Sequence, residues 1–161
     1  IQFIINGAIK EAGLLLILNK YISTITGDFP FGENFNVRIA PKNHNELVKL
    51  CREKIPSEKM PLLVGVGDTV TSQKDKKSNS WLRGGSDRGF LTLIQRLGES
   101  YKKNNQVIFI NSSNDQVIRP RINGCDMTGI SDPDDDLKFN MIIEEGPEEY
   151  IDWFKQLACR F

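Results

Sequence analysis

Residues 62–68 read LLVGVGD, an apolar run that ends in a glycine and an aspartate. Short, uninterrupted apolar runs of this kind are typical of strands that are buried on both faces of a parallel sheet. We therefore predict a central strand here, with Asp68 at its carboxyl end. Ligands bind beyond the carboxyl ends of the strands in open parallel sheets, so Asp68 is also the first candidate site residue.

The segments around this run alternate between strand and helix patterns, which predicts an α/β fold with helices on the faces of a mostly parallel sheet. Further strands are predicted at residues 2–5, 35–39, 107–110 and 139–143. Helices are predicted at residues 9–24, from Asn43 to Ile55, after a cap at Ser86, and from Gly146-Pro147 onward. The first helix is apolar nearly all round, so we expect neighbours to cover it. The long polar stretch 69–85 is predicted to be a connection that is either functional or mobile.

The composition excludes several classes of protein. The 161 residues carry 21 Lys and Arg against 21 Asp and Glu, so the formal net charge is zero. We expect no nucleic-acid partner, and no membrane partner either, because the longest apolar run is far shorter than the roughly 20 residues of a spanning helix. Three widely spaced cysteines favour a reducing, cytoplasmic setting over a disulfide framework or a zinc site.

Asp68 is a candidate ligand for Mg²⁺. This cation prefers oxygen ligands, and proteins commonly bind it through one or two carboxylates together with a substrate phosphate. An aspartate after a glycine is also common in tight turns, and the spacing alone favours neither interpretation.

Residues 83–88 read RGGSDR and form a candidate phosphate site before a predicted helix. The free N–H groups of a helix N-terminus attract anions, and an arginine guanidinium pairs with two phosphate oxygens at once. Arg83, Ser86 and Arg88 are therefore candidate substrate-binding residues. A plain serine-capped helix with two solvated arginines is the simpler interpretation, and the pattern alone favours it.

Lys10 is a further candidate site residue. Lys10 follows the predicted strand 2–5 at the start of the first helix, where its charge is suited to neutralise a phosphate or a carboxylate nucleophile.

Four aspartates lie within residues 132–136, but a calcium loop of the EF-hand type would need glycine where this chain has Leu137. We therefore predict a solvated acidic loop there.

Three pieces of the chain together resemble one known family: GAIKEAG at residues 7–13, MPLLVGVGDTVTSQ at 60–73 and RGGSDRGFL at 83–91. They are similar to the carboxyl-terminal part of the glucosylglycerol-phosphate phosphatases, within the haloacid-dehalogenase-like superfamily. The resemblance implies a Rossmann-like, three-layer α/β/α core in a single domain over residues 1–161. It also implies hydrolysis of glucosylglycerol 3-phosphate, which yields a compatible solute in salt stress.

The resemblance also implies roles for individual residues. Lys10 corresponds to the lysine that steadies the nucleophile and the phosphate, and Asp68 corresponds to an acidic ligand of Mg²⁺. Relatives commonly carry a second acid four residues later, where this chain has Ser72. An insertion within residues 69–85 would make Asp87 the second metal ligand, with Asp75 as the rival candidate.

The nucleophile of this superfamily is the first aspartate of an Asp-x-Asp motif, and the reaction passes through an aspartyl-phosphate. The only Asp-x-Asp patterns of this chain lie within residues 132–136, in the wrong context. The chain also begins with Ile1 rather than Met. We therefore expect a carboxyl-terminal fragment that is inactive alone, with the nucleophile and the cap upstream, and an exposed sheet edge that could form a homodimer.

Two other functions remain open at the level of sequence. The same catalytic plan serves the phosphatases of sucrose phosphate and trehalose phosphate, so the substrate assignment depends on the resemblance alone. A noncatalytic phosphosugar-binding domain would use Arg83, Ser86 and Arg88 without any nucleophile.

Overall fold

The computed structural model describes residues 9–112 and 128–159. The described helices are α1 (Lys10–Thr26), α2 (His44–Lys54), α3 (Arg88–Tyr101) and α4 (Pro147–Ala158). The described strands are β1 (Val64–Gly67), β2 (Thr71–Lys74), β3 (Trp81–Gly84), β4 (Gln106–Ile110) and β5 (Met141–Ile143). The predicted strand at residues 2–5 lies outside the described residues. The chain divides into two compact units, one formed by Ile1–Leu63 with Thr92–Asn105 and one by Val64–Leu91 with Gln106–Phe161.

The second unit contains a parallel sheet in the order β1-β4-β5. The predicted α/β fold with a mostly parallel sheet is confirmed, and β4, not β1, is the middle one of the strands that the structure describes in this sheet. Four of the five residues of β4 are buried. In β1, Gly65 and Gly67 have no side chains to bury, and Val64 is half exposed.

Helix α4 packs against this sheet. Gly146 precedes it, and Pro147 occupies its first turn, as the sequence predicts. Tyr150 and Trp153 of this helix contact the buried cluster Ile108, Ile110 and Ile143. These contacts hold α4 against the carboxyl-terminal halves of β4 and β5.

The polar stretch 69–85, predicted as a connection that is either functional or mobile, contains a β-hairpin. Strands β2 and β3 pair antiparallel, from Thr71 opposite Gly84 to Lys74 opposite Trp81. The Asp75 carboxylate accepts the N–H groups of Lys77 and Ser78 at the tip. Such Asx turns reverse the chain without the Asn-Gly or Asp-Gly pair that usually marks a tight hairpin.

The first unit contains α1, α2 and most of α3. The predicted cap of α2 is confirmed, because the Asn43 side chain accepts the N–H of Glu46 at 2.9 Å. The expectation that α1 is covered nearly all round is wrong on one side, since Ile17, Tyr21 and Ile25 are exposed. These three side chains recur every fourth residue and form one stripe of the helix.

The predicted strand at residues 35–39 is wrong. The Asn36 side chain accepts the N–H of Arg38, and the Asn36 carbonyl accepts those of Ile39 and Ala40. These local hydrogen bonds make the segment a series of turns, because an asparagine side chain competes with strand pairing for the backbone.

Two features bear on the predicted setting of the protein. No helix within residues 9–112 and 128–159 is long and apolar enough to cross a membrane. Cys51 and Cys159 are both free thiols. Burial raises the pKa of the Cys51 thiol to about 12, so this cysteine is neutral and unreactive at physiological pH.

Candidate metal and phosphate site

Two predicted acids meet at the carboxyl end of β1. The Asp87 Oδ2 atom accepts the backbone N–H groups of Asp68 and Thr69, each at 3.0 Å. The N–H of Asp87 donates in return to the Thr69 carbonyl at 3.1 Å. Three hydrogen bonds thus join residues that lie 18 or 19 positions apart in sequence.

Close packing supports this junction. A Cβ atom on Gly67 would lie 2.8 Å from the Asp87 Cβ, so only glycine permits the approach. Asp87 is buried, whereas Asp68 is exposed and its Oδ1 atom accepts the Thr69 hydroxyl at 2.8 Å. The end of β1 therefore brings the buried Asp87 carboxylate onto the backbone of the exposed Asp68.

The start of α3 differs by one residue from its prediction. The helix begins at Arg88, and the Asp87 carbonyl accepts the N–H of Leu91 as its first helical hydrogen bond. Asp87, not Ser86, therefore occupies the cap position. Ser86 is exposed immediately before it.

The donor chemistry of the two acids fits Mg²⁺. Magnesium keeps several waters and commonly takes only one or two protein carboxylates beside a substrate phosphate. In the described part of the chain, no three His, Cys, Asp or Glu side chains come together in a way that could enclose a metal. Asp68 and Asp87 by themselves would make an open site of that kind, and the metal ion remains a prediction.

The rival acid Asp75 lies at the hairpin tip. Its carboxylate accepts the Ser78 hydroxyl as well as two backbone N–H groups of the same turn. Hydrogen bonds from Ser78 and Lys77 hold the pKa of Asp75 below its usual value. Asp75 thus has a local structural role, whereas Asp87 contacts the loop that carries Asp68.

Lys10 is the first residue of α1 and is exposed. It belongs to the first compact unit, whereas Asp68 and Asp87 belong to the second. Its assignment as the lysine beside the phosphate remains a prediction.

The two arginines of the predicted phosphate site pair with carboxylates of the acidic segment 128–137. Arg83 donates through Nε and Nη2 to both oxygens of Asp132, at 2.9 and 2.8 Å. Arg88 donates through Nη1 and Nη2 to both oxygens of Asp135, each at 2.8 Å. We call these four residues the ion-pair cluster. That Arg83 and Arg88 contact a substrate phosphate remains a prediction.

The ion-pair cluster overturns the prediction of a solvated acidic loop for two of its four aspartates. The Asp132 side chain is fully buried and also accepts the hydroxyl of Ser72. Asp135 is only 3% exposed. Sequence reasoning missed these roles because the partners lie 47 to 60 positions away, and nothing in the local pattern marks them.

The ion-pair cluster also lowers the pKa values of its two carboxyl groups. Hydrogen bonds from Arg83 hold the pKa of the Asp132 carboxyl far below its usual value. Burial alone would raise the pKa of Asp135, but hydrogen bonds from Arg88 and the Leu137 backbone outweigh it and lower that pKa. Both carboxylates are therefore charged at neutral pH.

These shifts predict a loss of stability in acid. A carboxyl with a lowered folded-state pKa contributes stability above its unfolded pKa and loses it as pH falls through the folded value. We expect the urea midpoint of the protein to fall from about pH 5 downward. The double variant Asp132→Asn/Asp135→Asn should be less stable at pH 7, with a flatter dependence on pH. The exposed control Asp152→Asn should follow the wild-type curve, and parallel curves for all three proteins would refute the assignment.

Comparison with protein families decides the class of this chain. Residues 1–158 match the family model described as glucosylglycerol-phosphate phosphatase. The chain belongs to the glucosylglycerol-phosphate phosphatase family. This confirms the family that the three sequence pieces resemble.

A curated relative from Synechocystis sp., named glucosylglycerol-phosphate phosphatase, is 39% identical over 170 residues. The match covers 99% of this chain and 40% of the relative, so the chain spans about two-fifths of the relative's length. No solved structure matches the chain.

Proposed function

We propose that the protein carrying this chain is a Mg²⁺-dependent phosphatase that hydrolyses glucosylglycerol 3-phosphate to glucosylglycerol and phosphate. The observation that carries the proposal is the junction at the end of β1, where the Asp87 carboxylate binds the N–H groups of Asp68 and Thr69. Family membership supports the reaction class, and the name of the Synechocystis relative supports the substrate. The core is proposed to be the three-layer α/β/α fold of haloacid-dehalogenase-like phosphatases.

Asp68 and Asp87 are the residues that would hold Mg²⁺. When bound, this ion supplies positive charge that offsets the negative charge of the transferring phosphoryl group. Asp68 has an exposed carboxylate, and the Asp87 carboxylate fixes the backbone of residues 68 and 69 through two hydrogen bonds. Lys10 is proposed to neutralise the phosphate and the attacking carboxylate.

The attacking group in this proposal is an aspartate outside residues 1–161, because these residues lack an Asp-x-Asp motif in the required context. It forms a bond to phosphorus as the bond from phosphorus to the glycerol oxygen of the substrate breaks, and that oxygen leaves with a proton from an acid. Water then attacks phosphorus and releases phosphate from the aspartyl-phosphate. The described residues contribute charge and positioning to both steps.

A phosphate-release assay on the full-length protein tests the proposal. We expect the highest kcat/KM for glucosylglycerol 3-phosphate, lower values for sucrose phosphate and trehalose phosphate, and loss of activity when a chelator removes Mg²⁺. A preference for either disaccharide phosphate would change the substrate but retain the reaction class. Binding of the sugar phosphates without phosphate release would instead support a noncatalytic binding protein.

A further inference from the structure

The ion-pair cluster is connected to the candidate metal site by hydrogen bonds from Arg88 to the base of the hairpin. The guanidinium of Arg88 donates to the carbonyl oxygens of Thr71, Gly84 and Ile130, at 3.2, 3.3 and 3.2 Å. Thr71 and Gly84 face each other as the first residue of β2 and the last residue of β3. One side chain therefore holds both strands at their base and ties them to segment 128–137.

Asp135 fixes the direction of this guanidinium. It accepts two hydrogen bonds from Arg88 in the bidentate arrangement that constrains an arginine most strongly. Asp135 is fixed in turn by the Ser131 hydroxyl at 3.2 Å and the Leu137 N–H at 3.1 Å. Both partners are largely buried, with side-chain exposures of 14% for Arg88 and 2% for Asp135.

The base of the hairpin also sets the geometry of the two acids. Arg88 directly follows Asp87 in the chain, and β2 begins two residues after Thr69. Gly85 approaches so closely that a Cβ atom there would lie 2.2 Å from the Thr69 carbonyl oxygen. A shift of Arg88 would therefore be transmitted to Asp87 and to the loop that carries Asp68.

We propose that Asp135 is a positioning residue for the metal site: by orienting Arg88, it sets the separation of the Asp68 and Asp87 carboxylates. The inference depends on the proposed function, because it assumes that these two acids bind Mg²⁺. Buried ion pairs often stabilise a fold no more than apolar residues of similar size would. A role in positioning the metal ligands would give the Arg88–Asp135 pair a function other than stability. Residues that orient metal ligands from behind commonly change metal affinity about 10- to 100-fold when they are substituted.

The test compares Asp135→Asn with Asp132→Asn in the full-length protein. Mg²⁺ binding is measured by isothermal titration calorimetry without substrate, and folding is checked by urea denaturation. We expect Asp135→Asn to weaken Mg²⁺ binding about tenfold. The matched control Asp132→Asn removes the partner of Arg83 in the same segment and should leave the Mg²⁺ affinity within about twofold.

The outcomes separate the inference from the proposed function. Equal Mg²⁺ affinity of wild type and Asp135→Asn would overturn the positioning role, and so would equal losses in both variants. Absence of Mg²⁺ binding by the wild type would instead refute the metal site itself. If Asp135→Asn does not fold, Ser131→Ala removes one hydrogen bond to Asp135 and should weaken Mg²⁺ binding about threefold. An unchanged affinity in that variant would equally overturn the inference.

Discussion

Asp68→Asn is expected to lower kcat/KM for glucosylglycerol 3-phosphate by about 100-fold. Asparagine has the shape of aspartate but no negative charge, so the variant would bind Mg²⁺ poorly and lose its contribution to phosphoryl transfer. The Asp68 side chain is exposed, and its amide counterpart retains an acceptor for the Thr69 hydroxyl. The variant should therefore fold normally, and the loss should appear in phosphate-release kinetics at fixed Mg²⁺.

Matched controls make this result specific. Asp152→Asn changes an exposed aspartate of α4 whose partner is Lys155, and kcat/KM should stay within about twofold of the wild type. Comparing Asp75→Asn with Asp87→Asn distinguishes the two candidates for the second metal ligand. A loss of Mg²⁺ affinity in Asp75→Asn but not in Asp87→Asn would identify Asp75, at the hairpin tip, as that ligand. Wild-type kcat/KM in Asp68→Asn would contradict the proposed metal site.

Gly85→Ala is expected to lower the free energy of unfolding by about 3 kcal/mol. Gly85 has a φ of 99°, a region that residues with a Cβ rarely adopt. The added Cβ would lie 2.2 Å from the Thr69 carbonyl oxygen, which is backbone and cannot move aside cheaply. Urea denaturation of variant and wild type measures the difference.

Gly27→Ala is the matched control for backbone strain. Gly27 has a φ of 83° at the end of α1, and a Cβ there would meet nothing within 4 Å. The cost should be only about 1 kcal/mol, that of left-handed backbone alone. Equal losses in the two variants would show that the close approach of Gly85 to Thr69 is unimportant for stability.

Local sequence patterns predicted the elements whose stability is local. The apolar runs of β1 and β4, the Asn43 cap and the Gly146-Pro147 start are all found in the structure. The hairpin was missed because β2 is polar, β3 has only two apolar residues, and the turn uses Asp75 rather than a standard turn pair. The position of β4 between the described strands β1 and β5 could not be predicted from local sequence either, because strand order depends on which surfaces meet.

The candidate site was predictable to the extent that its residues lie at element ends. Asp68 ends an apolar run, and Asp87 precedes a helix with a clear apolar stripe. The bond between Asp87 and the backbone of Asp68 could not be inferred from spacing, since a hairpin lies between them. The partners of Arg83 and Arg88 were equally inaccessible, because the acidic segment reads as a surface loop until its distant contacts are known.

The two ends of the β2–β3 hairpin are held close together at its base. Its base is closed by the Arg88 contacts and by Gly85, whereas its tip is turned by the hydrogen bonds of Asp75. Loop-closure entropy grows slowly with length, so added or deleted residues at the tip cost little once the base is closed. The hairpin should therefore tolerate residues added or removed at its tip, while the hydrogen bonds from the Asp68 and Thr69 backbone to Asp87 keep the base in place.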